Sequence, residues 1–306
     1  RRWFLKPGTV PPNPFGGIDQ VKMNPSGGSP NLVKPAGPTD PTVSILALRE
    51  PDGRPIAVYS AYSLHYVGGV AKGDISADYY GMYCGRLERL MKGDEQDPPM
   101  VAMMANGTSG DVNNINFQHP RPAKKPYEQM RFVADDLAAK VQAALAKVQY
   151  QDRVTLAARY REPTLERHQP TAEQIAWAKE RLTKPAPKPG VTDLPYIYAR
   201  RVVSMAGREA SVAVPLQVLR IGPVCIGTIP GEPFAEIGLE FRKRSPVQPA
   251  FLVELAHGSF GYIPTAKHFE WGGYETWLGS SAFEPHASEK LLDTLVEMAA
   301  EVRDAK

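Results

Sequence analysis

The sequence predicts an α/β protein, a mixed sheet flanked by helices with its active site on the rim where the strands end. Three observations carry this. Short apolar runs alternate with segments whose apolar residues recur every three or four positions. Four of the runs end in glycine-broken polar loops, and those loops hold His, Asp, Asn, Glu and Tyr. Open α/β sheets gather ligands at such strand ends.

Taken in order, residues 1–41 hold nine prolines and six glycines, which argues against regular helix or sheet. Trp3, Phe4, Phe15, Ile18, Val21 and Met23 give that segment apolar anchors, so residues 1–42 are expected to form a long ordered loop over an α/β body at 43–306. Residues 43–48 and 56–64 read as two strands around an Asp52-Gly53 turn. The second ends at His65, before Gly68 and Gly69. A helix is expected over 79–91, capped by Asp78 or Ser76. The apolar run 99–105 leads into a loop from Asn106 to Asn116 dense in Asn, Gly and Asp. Its Gly-Thr-Ser-Gly is one residue short of a nucleophile elbow.

The spacing of Met130, Val133, Leu137, Val141, Leu145 and Val148 predicts an amphipathic helix over 126–148. A strand at 154–160, a capping box at Thr171 to Gln174 and a helix at 197–205 follow. Residues 212–220 and 224–229 form a hairpin, Pro230-Gly231 breaks the run, and Glu232 stands before a helix carrying Phe234, Ile237, Leu239 and Phe241. Glu232 is read as a metal ligand or as a cap of that helix. The run 251–255 ends near His257 and Tyr262. An aromatic-rich loop spans 268–277, and Ser288 is expected to cap a last helix.

Composition narrows the function. With 306 residues, 42% hydrophobic and 23% charged, the chain has the make-up of an ordinary globular protein. A net charge of +3 is too small to argue for nucleic acid. No apolar run approaches the roughly 20 residues of a membrane span. The two cysteines, Cys84 and Cys225, are expected as buried free thiols. Imidazole and carboxylate at several strand ends suit zinc, which in catalytic sites keeps about three protein ligands and an open position. No local zinc motif is present, so the ligands would lie far apart in sequence.

Four segments occur in a familiar order: Ser63-Leu-His65, the Asn106 to Asn116 loop with its Gly110-Asp-Val112 core, Pro230-Gly-Glu232, and Gly261-Tyr-Ile-Pro-Thr265 followed by Gly273-Tyr-Glu275. Over residues 43–290 the chain resembles the N-terminal catalytic domain of the neutral/alkaline non-lysosomal ceramidase family. The resemblance implies zinc-dependent hydrolysis of an amide, with ceramide split to sphingosine and a fatty acid, and a secreted or periplasmic location. It implies Zn2+ held by two histidines, a glutamate and a tyrosine. His65 matches the second histidine, Glu232 the glutamate and Tyr262 the tyrosine. The first histidine belongs to a His-x-His motif absent here and expected upstream of Arg1. Tyr274 matches a tyrosine near the scissile amide, and Arg1 or Arg2 an active-site arginine, Arg2 being assigned to substrate binding.

The chain departs from the family's Gly-Asp-Val-Ser-Pro-Asn loop, because Asn113 stands where the family has serine. Asn113 or Tyr274 is then expected to steady the oxyanion while water attacks, with Asp111 beside Asn113 counted among the catalytic residues. Phe269 and Trp271 are expected to line the entrance for an acyl chain. A small lipid substrate with peripheral membrane contact is implied, and no nucleic-acid partner. Two rival readings stand beside this one: a relative that binds a lipid or glycan without cleaving it, and a zinc hydrolase of another amide or an ester. His257 is a rival to Tyr262 as ligand.

Overall fold

The structure, a computed structural model, describes residues 1–305. The first segment corrects an expectation. Residues 1–41 carry three short strands, β1 (Arg2–Leu5), β2 (Val21–Met23) and β3 (Leu32–Pro35), in an antiparallel sheet of order β2-β1-β3. Of the segment's prolines only Pro35 falls within a strand; the others and all the glycines sit in the connections. Strands this short fit between breakers, and burial of Trp3 and Val21 anchors them. Asp40 ties the end of the segment to the body by accepting two bonds from Arg242, at 3.1 and 2.7 Å.

Two sheets make the body. In the first, β4 (Val43–Arg49) and β5 (Pro55–Tyr62) form the expected hairpin over Gly53, whose φ of +95° a side chain would resist. Helix α1 (Asp78–Leu90) crosses over to β6 (Val101–Asn106), which lies parallel to β5. Helix α2 (Glu128–Leu145) packs on α1, and Tyr79, Tyr83 and Leu87 meet Met130, Leu137 and Val141 over the outer face of this sheet. Asp78 is not the cap of α1 that the sequence led us to expect. It is the first helical residue, and its carboxylate turns back to accept from the amides of Val67 and Gly68.

The second sheet is built from β7 (Leu156–Arg161), then, after β8 (Thr164–Glu166), α3 (Ala172–Thr183), α4 (Leu194–Ala206) and β9 (Ser211–Ala213), from β10 (Leu216–Ile221) and β11 (Val224–Thr228). Thr171 and Gln174 form the capping box of α3 in full. After β12 (Glu232–Pro233) and α5 (Ala235–Arg244), β13 (Ala250–Val253) returns parallel to β11, giving the order β13-β11-β10-β7. β14 (Tyr262–Ile263), α6 (Ala266–Trp271), a 3-10 turn (Tyr274–Thr276) and α7 (Ala287–Asp304) complete the chain. The expected aromatic loop is thus largely helix.

Ser288 does not cap α7. It lies inside the helix, 2% exposed, because the Glu284 carboxylate takes the His286 amide and starts the helix earlier.

Alternation along the strands fixes the layers. Leu216, Val218, Cys225 and Leu252 point to a core shared with Phe241 of α5 and Leu291, Leu295 and Met298 of α7. Their neighbours Leu219, Val224, Ile226 and Phe251 point the other way, against Leu46, Tyr59 and Ala61 of the first sheet. The two sheets therefore meet face to face, with helices on both outer faces. The mixed α/β class holds, with the strands shared among several sheets rather than one. No helix among the described residues is long and apolar enough to cross a membrane.

Candidate active site

The parallel pairs β5-β6 and β11-β13 deliver their C-terminal ends to one place. His65 follows β5, Ser109 follows β6, Glu232 follows β11, and Glu254 closes β13. Close backbone passage makes this convergence possible. A Cβ on Gly107 would meet Ser63 Oγ at 2.5 Å, and one on Gly110 would meet the Glu232 carbonyl oxygen at 2.2 Å. The Gly110 amide donates to Pro233 O at 2.9 Å, so loop 107–110 is pinned along β12.

His65 Nε2 lies 3.2 Å from Glu232 Oε2. The other ring nitrogen, Nδ1, stands 2.7 Å from the Ser109 carbonyl oxygen, which can only accept. The proton therefore belongs on Nδ1, and in the neutral ring Nε2 presents a lone pair. In the neutral ring that lone pair faces a carboxylate oxygen, an arrangement that either a proton on Nε2 or a bound cation would satisfy. Zinc bonds of about 2.0–2.2 Å at tetrahedral angles put neighbouring donor atoms about 3.4 Å apart, close to the spacing here. Glu232 keeps 22% of its side chain exposed, which leaves the pair open to solvent. Glu232 is not the helix cap: Asp111 Oδ1 instead accepts from the Ala235 amide at 2.8 Å.

Tyr262 completes the group. Parallel pairing of β12 with β14 sets Tyr262 opposite Glu232, and the Glu232 amide donates to Gly261 O at 2.8 Å. The Tyr262 ring stacks on His65 with centroids 6.4 Å apart. Burial raises its phenol above the ordinary value and Glu232 adds to that, while Arg1, whose guanidinium lies 5.0 Å over the ring, pulls the other way. Tyr274 packs edge-on against Tyr262 at 5.7 Å. His65 and Glu232 are of the ordinary metal-ligand types, and the Tyr262 ring stands beside them. Among the described residues no three His, Cys, Asp or Glu side chains converge to hold a metal.

Two residues that sequence reasoning missed support this group. Glu254, 4% exposed, accepts from Asn106 Nδ2 at 2.5 Å and from the amide and hydroxyl of Ser109 at 2.9 and 2.8 Å. Ser109 in turn holds His65. Burial pushes the Glu254 carboxyl well up and the charge of Glu232 adds to it, against the Ser109 bonds and Arg1. The signal that could have found Glu254 was the one used for His65 and Glu232, a polar residue ending an apolar strand. Ser109 gave none, since its role depends on the approach of β5 and β13.

Other expected site residues lie elsewhere. Arg2 is 1% exposed and donates to Glu275 Oε2 at 2.5 Å and to Gly272 O at 2.6 Å, so it braces the 272–275 turn instead of meeting a substrate; Arg1 takes the place over Tyr262. Asp111 is buried and spent on the start of α5. Asn113 donates to Asn24 and accepts from Asn114, and lines a cavity of about 380 Å³ whose walls include none of His65, Glu232 and Tyr262. Trp271 packs on Phe4 and His268, and Phe269 on His168. His257 is exposed, with its ring against Tyr160. The structure thus groups His65, Glu232, Tyr262 and Tyr274, and does not bring the others to them.

Fold and site together define a mixed α/β domain with a histidine and carboxylate centre at converging strand ends. The chain shares the fold of neutral ceramidases. It superposes on the neutral ceramidase from Pseudomonas aeruginosa with a TM-score of 0.60 at 18% identity, over 87% of this chain and 47% of that one. For a ceramidase complexed with C2 the TM-score is 0.63 at 17% identity, over 87% and 48%. The chain therefore spans about half the length of these solved structures. No family model and no curated protein matches the sequence.

Proposed function

We propose that this chain carries the centre of a zinc-dependent hydrolase that cleaves the amide bond of a ceramide-like lipid. The observation that supports it best is the confrontation of His65 Nε2 with Glu232 Oε2 at 3.2 Å, beside Tyr262, on a fold shared with ceramidases. His65, Glu232 and Tyr262 would hold the metal. When bound, zinc supplies a Lewis acid and lowers the pKa of a water to about 7.

The chain's own residues do the rest. Ser109 fixes the tautomer that leaves Nε2 free to ligate. Glu232 offers the one carboxylate of the group that solvent reaches, so a metal held there would stay open to water. The positive charge of Arg1 over Tyr262 favours negative charge developing beside it. Tyr274, edge-on to Tyr262, would donate its hydroxyl to an oxyanion. Water is the nucleophile: its oxygen joins the acyl carbon, the C–N bond breaks, one of its protons goes to the leaving nitrogen and the other stays with the acid. The products are a fatty acid and a long-chain amine. Contact with a membrane surface and a secreted or periplasmic location belong to the same proposal, because such substrates reside in bilayers.

The test is hydrolysis of a short-chain ceramide beside its ester analogue, with and without a chelator. Chelator-sensitive amide cleavage supports the proposal. Amide cleavage indifferent to chelation, or cleavage of the ester alone, overturns it.

A further inference from the structure

A second concave site adjoins the first. It has a volume of about 790 Å³, and one wall is a face of α4 extended past the helix end. Ile197, Arg201, Ser204 and Arg208 follow one another at spacings that keep them on a single helical face. Arg200 stands beside them, and Arg167 and Phe260 lie across the cleft. Gly261 belongs to both sites: it lines this cleft, and its carbonyl accepts from the Glu232 amide.

The charge balance is one-sided. Four arginines line the cleft, Arg167, Arg200, Arg201 and Arg208, with no Asp or Glu among the lining residues, in a chain whose net charge is only +3. A solvated helix face is the bland explanation. Such faces usually interleave acids with bases, and this one does not. Among the described residues no carboxylate pairs with these guanidiniums. Arg201 Nη1 reaches Gly279 O at 3.2 Å, and Arg208 has one long contact of 3.5 Å to Ser204 Oγ. The buried Nε of Arg167 and the hydroxyl of Ser281, a lining residue 1% exposed, have no partner among the described residues. Ile197, Met205 and Phe260 add apolar surface to the same lining.

We propose that this cleft binds an anionic amphiphile. The guanidiniums of Arg167, Arg200 and Arg208 take its oxyanion head, a carboxylate or a phosphate, for which planar N–H forks are suited. Its apolar tail lies on Ile197, Met205 and Phe260. The proposal goes beyond the hydrolase reading and stands whether or not His65 and Glu232 hold zinc.

The experiment is calorimetric titration of the full chain, at low salt and below micelle formation, with dodecanoate, dodecyl phosphate, inorganic phosphate and dodecyltrimethylammonium. The proposal expects saturable binding of dodecanoate or dodecyl phosphate, with the tighter of the two naming the head. Inorganic phosphate and the ammonium should bind at least about tenfold more weakly. Arg200→Gln combined with Arg208→Gln should weaken the amphiphile by about tenfold or more, with zinc content and melting temperature unchanged. Ser204→Glu, which places a carboxylate on the same helical face, should weaken it too and serves if the double variant is unstable. Equal affinity in parent and folded variants overturns the proposal. So does the absence of saturable amphiphile binding, or phosphate binding as tightly as its dodecyl ester.

Discussion

His65 Nε2 and Glu232 Oε2 face each other across 3.2 Å while the Ser109 carbonyl holds the opposite ring nitrogen. This arrangement rests on Glu254, whose two oxygens accept three bonds from Asn106 and Ser109. Glu254→Gln would set an amide N–H2 against one of those donors and shift loop 107–110. We expect zinc affinity to fall about 10–100-fold, measured by competition with a chromophoric chelator. Ser109→Ala keeps the carbonyl contact and should cost less. Unchanged affinity in Glu254→Gln would show that His65 is oriented by other means.

Gly110 tests the same loop from the other side. A methyl there has no room beside the Glu232 carbonyl, and the neighbouring atoms are backbone, which cannot swing away. Gly110→Ala should destabilise by about 1–3 kcal/mol or more in urea unfolding and weaken zinc together with stability. A variant as stable as the parent would contradict the close passage of the two segments.

Glu275 supplies the pH dependence. Burial alone would raise its carboxyl, but the guanidiniums of Arg2 and Arg1 outweigh burial and hold it below the ordinary value of 4.5. A carboxylate with a depressed folded pKa contributes stability above its unfolded pKa, and that contribution fades as pH falls through the folded value. Stability from Glu275 should therefore be full at neutral pH and decline only below about pH 4.5. Glu275→Gln leaves Arg2 buried without its counter-charge and should cost about 3–5 kcal/mol at neutral pH. Urea unfolding across that window, with a flatter acid limb in the variant, checks both.

Much of this was legible in the sequence, because the signals were local. Periodicity gave α2 and α7, the capping box gave α3, and apolar runs before glycine gave β5, β11 and the strand ends that carry His65 and Glu232. The first segment was not legible: nine prolines in 41 residues look prohibitive until each strand is seen to need only three or four residues. The division of the strands between two sheets was hidden as well. The alternation of Cys225 with Val224 and Ile226 shows two buried faces, and says nothing of whether sheet or helix covers each. At the site, Arg1 and Arg2 both pair with Glu275, and the distinction between them is that Arg1 alone lies over Tyr262 while Arg2 reaches Gly272 O. Both pairings join residues more than 270 positions apart.

Asn113 gives a prediction of a different kind. Its side chain bonds Asn24 and Asn114 and lines a cavity apart from His65, Glu232 and Tyr262. Asn113→Ser, the residue of the resembled family's loop, should therefore leave the proposed amide hydrolysis within about threefold of the parent, since an uncoupled surface change moves a barrier by well under 1 kcal/mol. A large gain in rate would place Asn113 at the reacting centre after all.

The central claim is that His65 and Glu232 face each other because a cation belongs between them. The most direct measurement is zinc per chain after exhaustive dialysis, in the parent and in Glu232→Ala, with His257→Ala as a control on the exposed histidine. The account predicts about one zinc in the parent and in His257→Ala, and little in Glu232→Ala. Equal zinc in all three, or zinc lost from His257→Ala and kept in Glu232→Ala, would contradict it.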